Sequence, residues 1–415
     1  MAQVDFNLVQ TLALGCMTLF FGTGIVHAVP SLRRANVPAA VVGGLVVAAL
    51  VTLARVTGLA RIGFDTSLQT PLMTAFFTSI GLGAGFSLLR AGSGQALRFL
   101  ALASVLAVVQ NAIGIGAALA CGERPLLGVL MSSTALAGGP ATALAFAQQF
   151  AAAGVPAAES LAIAAAMAGI VLGGLLGGPI ATHLLERNAL RGPGRARSPG
   201  AAAAHANPGR AAHEPDTGTA AADDEVEEGG VRDVLEALTV LLVAMAAGGV
   251  ISDGFATAGL TLPGYVGAML AGAVARNIDD ATGWIRIRHD LASRIGSVCL
   301  TLFLTVALAN LRLWELAALA TPLLVNLALQ AVAVALFCRW LVFPLMGRDY
   351  DAAVMTGGFT GFMLGTTANA MAVMHTLVDR FGPAPRAFVV APIVGAFFID
   401  FTNAIIITTF LSLLA

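Results

Sequence analysis

The sequence predicts an all-α polytopic membrane protein built of two inverted repeats. Each repeat has five transmembrane helices and one re-entrant hairpin, giving ten spans and two hairpins. Three observations predict this. The chain is too apolar to clothe itself for water. Its apolar runs come as six, a break and six more. Its arginines gather on one side only if each half crosses the membrane an odd number of times.

Composition comes first. Of 415 residues, 58% are apolar and 11% charged, and the mean hydropathy is +0.86. A soluble domain carries about 25% charged residues, so most of this surface must face lipid. The net charge of −1 excludes the basic surface that a nucleic-acid partner needs. All 22 basic residues are arginine, which excludes Schiff-base and P-loop lysine chemistry. Cys16, Cys121, Cys299 and Cys338 show no metal or redox spacing and read as small packing residues. The first apolar run, Phe6 to Val29, lacks a basic leader region and reads as a span, not a cleaved signal. Nothing resembles a nucleotide loop, a zinc-protease helix or a hydrolase elbow, so no enzymatic activity is expected.

Runs long enough to cross a bilayer lie near 6–29, 37–54, 70–89, 96–121, 125–149 and 158–184. They resume near 233–252, 260–275, 293–311, 313–343, 350–376 and 386–414. The segment between is rich in Pro, Gly, Ala and charge, and cannot bury enough surface to order itself. The domains are therefore an N-terminal repeat (1–185), a flexible linker (186–231) and a C-terminal repeat (232–415). The halves match at an offset of about 225: PLLGVLMSSTALAGGPATALAFA (125–147) aligns with YDAAVMTGGFTGFMLGTTANAMA (350–372), and FFTSIGL (76–82) with LFLTVAL (302–308).

Arginine placement sets the topology. If the fifth run of each half is a hairpin (about 125–150 and 350–376), and the N-terminus is outside, only Arg55, Arg61, Arg124 and Arg312 lie outside. A spanning fifth run would put the linker and the Arg276–Arg294 cluster outside, against the positive-inside tendency. The hairpins are also too rich in glycine and hydroxyls for lipid-facing helices. Broken backbone at membrane depth must be satisfied by protein, ligand or water, and transporters bind at such breaks.

The candidate site residues follow. Ser132, Ser133, Thr134, Gly138, Gly139 and Thr142 belong to the first hairpin. Thr360, Gly361, Gly365, Thr366, Thr367 and Asn369 belong to the second. Asp400 is the one carboxylate deep in an apolar run, with Asn403 one turn on; such residues are functional by default. Oxygen ligands of this kind suit Na⁺, with Asp400, Asn403, Asn111, Thr134 and Thr367 the candidate ion ligands. Gln110 and Asn111 sit mid-span, where membrane amides also bridge helices. His27, His183 and His375 read as interfacial packing, and Trp284, Trp314 and Trp340 as interface anchors. Gly43-Gly44 and Gly173-Gly174…Gly177-Gly178 read as close-packing faces.

Several strings resemble the bacterial glutamate:sodium symporter family: DTSLQTPLMTAFFTSIGL (65–82), VVQNAIGIG (108–116), VLGGLLGGPIA (171–181) and RFGPAPRAFVVAPIVGAFFIDFTNA (380–404). The resemblance implies an inner-membrane, Na⁺-coupled carrier of glutamate or a related small carboxylate or amino acid. It also implies a homodimer whose scaffold part holds a mobile transport part carrying the hairpins. The termini are expected in the periplasm and the linker in the cytoplasm. The tips depart from the family pattern: Phe359 stands where the family has histidine, Met363 where it has glycine, and Ala368 where it has proline. The bulk of Phe359 and Met363 implies a smaller or more apolar pocket. A proton-coupled carrier and, more remotely, a channel are the alternatives.

Overall fold

A computed structural model describes residues 2–30, 32, 38–85, 93–190, 223–257, 263–283, 287–311 and 319–414. The chain opens on a feature the all-α reading did not contain. Strand β1 (Ala2–Phe6) pairs in parallel with β2 (Ala60–Phe64), in register Val4↔Ile62 and Phe6↔Phe64, and the two phenylalanine rings stack at 5.6 Å. Parallel pairing requires a crossover. Helices α1 (Leu8–Ala28) and α2 (Ala39–Val56) supply it, so the two strands sit at the same end of this helix pair. Asn7 starts α1 with a reciprocal capping box to Gln10, each bond 3.0 Å.

The helices continue as α3 (Gln69–Leu82), α4 (Ser93–Ala120), α5 (Pro125–Thr134), α6 (Gly139–Ala152) and α7 (Ala158–Arg187). The second half holds α8 (Asp223–Thr257), α9 (Gly264–Thr282), α10 (His289–Ala309) and α11 (Ala320–Leu345). It ends with α12 (Tyr350–Met363), α13 (Thr367–Phe381), α14 (Pro385–Ile393) and α15 (Ile399–Leu414). Helix α7 overlaps the start of the predicted linker, and α8 begins inside it at Asp223. Residues 191–222 lie outside the described residues, as do Trp284 and Trp314.

Among the described residues, seven helices are long and apolar enough to cross a membrane. Three predicted spans fall short for visible reasons. Helix α3 has 14 residues. Helix α9 carries Arg276, Asp279 and Asp280 in its last two turns. The run 386–414 is interrupted by Pro392 and a wide π-helical segment, Val394–Phe398.

The helices pack as two groups. In the first, α1 packs on α2 and α8 on α9; α3 packs on α9 and α10 on α2; α1 meets α10 and α8 meets α3. Each of these pairings recurs when the halves are exchanged, with α3 against α10 at the centre; the contact of α8 with α10 has no such counterpart. The second group holds α4, α5, α6, α7 and α11 to α15, where α12 packs on α7 and α5 on α15. The fifth run of each half doubles back. Arg124, before α5, donates to the Gly154 carbonyl after α6 at 2.9 Å. Tyr350, at the start of α12, donates through its hydroxyl to the Gly382 carbonyl after α13.

Glycines set the helix spacing where backbones touch. A Cβ on Gly81 would lie 2.1 Å from the Met269 carbonyl oxygen, and one on Gly43 equally close to the Thr18 carbonyl. Gly173 and Gly177 of α7 meet the Gly361 and Gly357 carbonyls of α12, as the small-residue stripe predicts. Gly81→Val should therefore wedge α3 from α9 and cost about 1–3 kcal/mol. In detergent its unfolding midpoint should fall clearly below that of Gly249→Ala, where a Cβ meets nothing within 4 Å.

Candidate functional site

The site begins with a helix that fails. After Pro125 opens α5, the turn Leu130–Thr134 widens, and Ser132 leaves helical geometry at φ −108°, ψ −119°. All five residues are buried. Freed backbone groups in an apolar interior cost several kcal/mol each unless paired. Side chains from three other helices pair them. Asn326 of α11 donates to the Met131 carbonyl at 2.8 Å. Asn111 of α4 accepts from the Ser133 N–H at 3.1 Å. Asn403 of α15 donates to the Ser133 carbonyl at 3.0 Å. Ser132 Oγ donates to the Gly128 carbonyl at 2.7 Å and accepts from Gln330 Nε2 at 3.0 Å. Gln330 also reaches the Gln110 carbonyl at 2.8 Å, and Gln110 donates to the Met363 carbonyl of the second hairpin at 2.9 Å. Gly114 lets α4 approach: its Cβ would lie 1.9 Å from Ser132 Oγ.

The second break, Leu364–Thr366, is closed more locally. Thr366 Oγ1 caps α13 by accepting from the Asn369 N–H at 3.4 Å. Thr367 donates to the Gly395 carbonyl at 3.2 Å and Asn369 to the Ile170 carbonyl at 2.7 Å. The two tips meet. Gly139 holds φ +64°, and its Cβ would stand 3.1 Å from Thr366 Cγ2 and 3.5 Å from the Gly365 carbonyl. The N-termini of α6 and α13 therefore adjoin, and such ends attract anions.

The bonding leaves a set of oxygens over. Among the described residues, Ser133 Oγ, Thr134 Oγ1, Gln110 Oε1, Gln330 Oε1, Asn403 Oδ1 and Asn369 Oδ1 are buried without a partner. Uncharged oxygens of this type suit a hard cation or an ammonium group. Asp400 is half-buried on α15, one turn before Asn403, and no hydrogen bond or ion pair to it is present among the described residues.

The predicted residues divide accordingly. Ser132, Ser133, Thr134, Asn111 and Asn403 gather at the α5 break. Gly138, Gly139, Gly365 and Thr366 lie at the tips, with Thr142 buried against Gly138. Thr360 is turned into the core, donating to the Thr356 carbonyl at 3.0 Å beside Cys338, and Gly361 packs on α7. Phe359 is fully buried between Phe99 and Phe337, with ring centroids at 5.0 and 6.3 Å. It fills the core between α4 and α11, which does not bear out a pocket narrowed by its bulk. His27 bonds its own helix, His183 pairs with Arg339 at 3.0 Å, and His375 lies against Phe388. Sequence reasoning missed Asn326 and Gln330. Their signal was two amides one turn apart inside an apolar run, comparable to the adjacent pair Gln110 and Asn111.

Residues 4–383 match the family described as sodium/glutamate symporter. The chain belongs to the sodium/glutamate symporter family. It is 38% identical over 405 residues to the sodium/glutamate symporter of Escherichia coli (strain K12), covering 97% of each chain. It is 36% identical over 411 residues to that of Haemophilus influenzae, covering 96% of each. The family's members are carriers, not enzymes, and the apolar helices mark this one as an integral membrane protein.

The amide caps yield a direct test. Asn326→Ala orphans the buried Met131 carbonyl, which costs about 1–3 kcal/mol. Its unfolding midpoint in detergent should fall accordingly. A midpoint equal to that of the unmodified protein would show that the break is held by something else.

Proposed function

We propose that this chain is a Na⁺-coupled symporter of glutamate, or a related small carboxylate or amino acid, in a bacterial inner membrane. One observation carries the reading: buried oxygens without partners among the described residues gather at a broken helix that Asn403, one turn from Asp400, helps to hold, in a chain of this family. The ion is cargo, held by oxygens from Ser133, Thr134 and Asn403 with the Asp400 carboxylate supplying charge; Asn111 and Thr367 position the surrounding backbone. The substrate carboxylates lie against the facing N-termini of α6 and α13, which offer N–H groups without an arginine.

Transport proceeds by elevator-like alternating access, with the second helix group, carrying both hairpins, moving against the first. Ten spans and two re-entrant hairpins form an inverted pair of repeats. The exchange symmetry of the first group, the bonds across each hairpin base and the tip-to-tip meeting of Gly139 with Thr366 support this arrangement. The arginine distribution supports periplasmic termini and a cytoplasmic linker. The working unit is a homodimer.

Purified protein in liposomes should accumulate labelled glutamate under an inward Na⁺ gradient. Uptake that survives collapse of that gradient would overturn Na⁺ coupling, and a proton gradient that drives it equally would favour the proton carrier. Asp400→Asn should raise the half-saturating Na⁺ concentration by at least about tenfold, the equivalent of ~1.4 kcal/mol.

A further inference from the structure

Tyr265 on α9 belongs to the first helix group, yet it faces the second. It is 1% exposed. Its ring stacks on Phe77 of α3 at 4.0 Å and meets the edge of Phe146, on the first hairpin's α6, at 6.0 Å. Its hydroxyl is buried and has no partner among the described residues. A buried tyrosine hydroxyl normally finds one, and leaving it unpaired costs about 1–3 kcal/mol.

Across the group boundary stands a second polar group without a partner among the described residues. Asp400 lies within electrostatic reach of Tyr265. The turn that carries Asp400 faces α9: Phe397, Phe398 and Phe401 line one wall of a cavity of about 580 Å³, and Leu270, Ala273 and Asn277 of α9 line the other. Two polar groups thus stand without partners on opposite sides of a boundary packed mainly by aromatic and aliphatic side chains. Neither needs this position for packing, since phenylalanine would fill the space of Tyr265 as well.

We infer that the Tyr265 hydroxyl is a ligand to the cationic part of the cargo held at Asp400, contributed from the helix group that does not carry the hairpins. This rests on the function proposed above. A phenolic oxygen offers lone pairs to a cation while its ring stays in the aromatic stack. The site is then complete only while the two groups touch as they do here. Release follows when they move apart, because one ligand stays behind with α9.

The test is Tyr265→Phe, which removes one oxygen and keeps the contacts with Phe77 and Phe146. In liposomes, the half-saturating concentrations of Na⁺ (at saturating glutamate) and of glutamate (at saturating Na⁺) are measured for this variant and the unmodified protein. A rise of about tenfold in either is expected, from the loss of one charge-assisted contact worth ~1.4 kcal/mol, with a ligand-free unfolding temperature no lower than that of the unmodified protein, because the variant also removes an unpaired buried hydroxyl. A rise confined to Na⁺ assigns the hydroxyl to the ion, and one confined to glutamate assigns it to the substrate's ammonium group; each supports the inference. Unaltered values in both arms, with Na⁺ coupling intact, overturn the inference alone. Absence of Na⁺ dependence in the unmodified protein overturns both the inference and the function it rests on.

Discussion

A broken helix deep in a membrane protein must find hydrogen-bond partners without water. In this chain Ser132 and Ser133 find theirs on α4, α11 and α15. That one requirement ties together elements from both halves of the sequence. Asn111, Asn326 and Asn403 are more than 75 residues apart in any pairing, yet they converge on three consecutive peptide units. Each amide spends one end on the backbone. The unused Oδ1 of Asn403, with the Ser133 and Thr134 hydroxyls of the break itself, forms the polar interior in which cargo is proposed to bind. Support and site are thus one structure, which makes the break hard to alter without consequence for binding.

The two helix groups place different demands on sequence. The first relies on backbone contact at glycines, as at Gly43 and Gly81, and its pairings are symmetrical. The second relies on satisfied polar groups and is less symmetrical: hairpin one is capped from outside by three asparagines, hairpin two by its own Thr366 and by a single outside amide, Gln110. Between them lies a boundary of aromatic contacts around Tyr265, Phe146 and Phe397, with a cavity beside it. Smooth apolar surfaces with few hydrogen bonds across them suit parts that slide.

Much of the frame was legible in the sequence because hydropathy and repetition report membrane crossing directly. The six-break-six pattern anticipated the helices, and the glycine stripe of α7 anticipated its contact with α12. The β1–β2 ribbon was not legible, because five-residue strands at Ala2–Phe6 and Ala60–Phe64 fall almost wholly outside the apolar runs, where hydropathy carries no signal. The site was legible in its members but not in its centre. The glycines and hydroxyls marked the stretch from Ser132 to Thr142 as broken but not the position of the break, which falls at Ser132, six residues before Gly138. Asn326 and Gln330 were passed over because the pattern of an apolar run hides isolated amides. Phe359 was assigned to a pocket by analogy of position, and three-dimensional packing put it in a core.

The account turns on where cargo sits, and a high-resolution structure of the protein with glutamate and Na⁺ tests that most directly. It should show ion density bounded by Ser133, Thr134, Asn403 and Asp400, with substrate carboxylate against the N-termini of α6 and α13. Density for both ligands elsewhere, with the oxygens at the Ser132 break satisfied only by water, would contradict it.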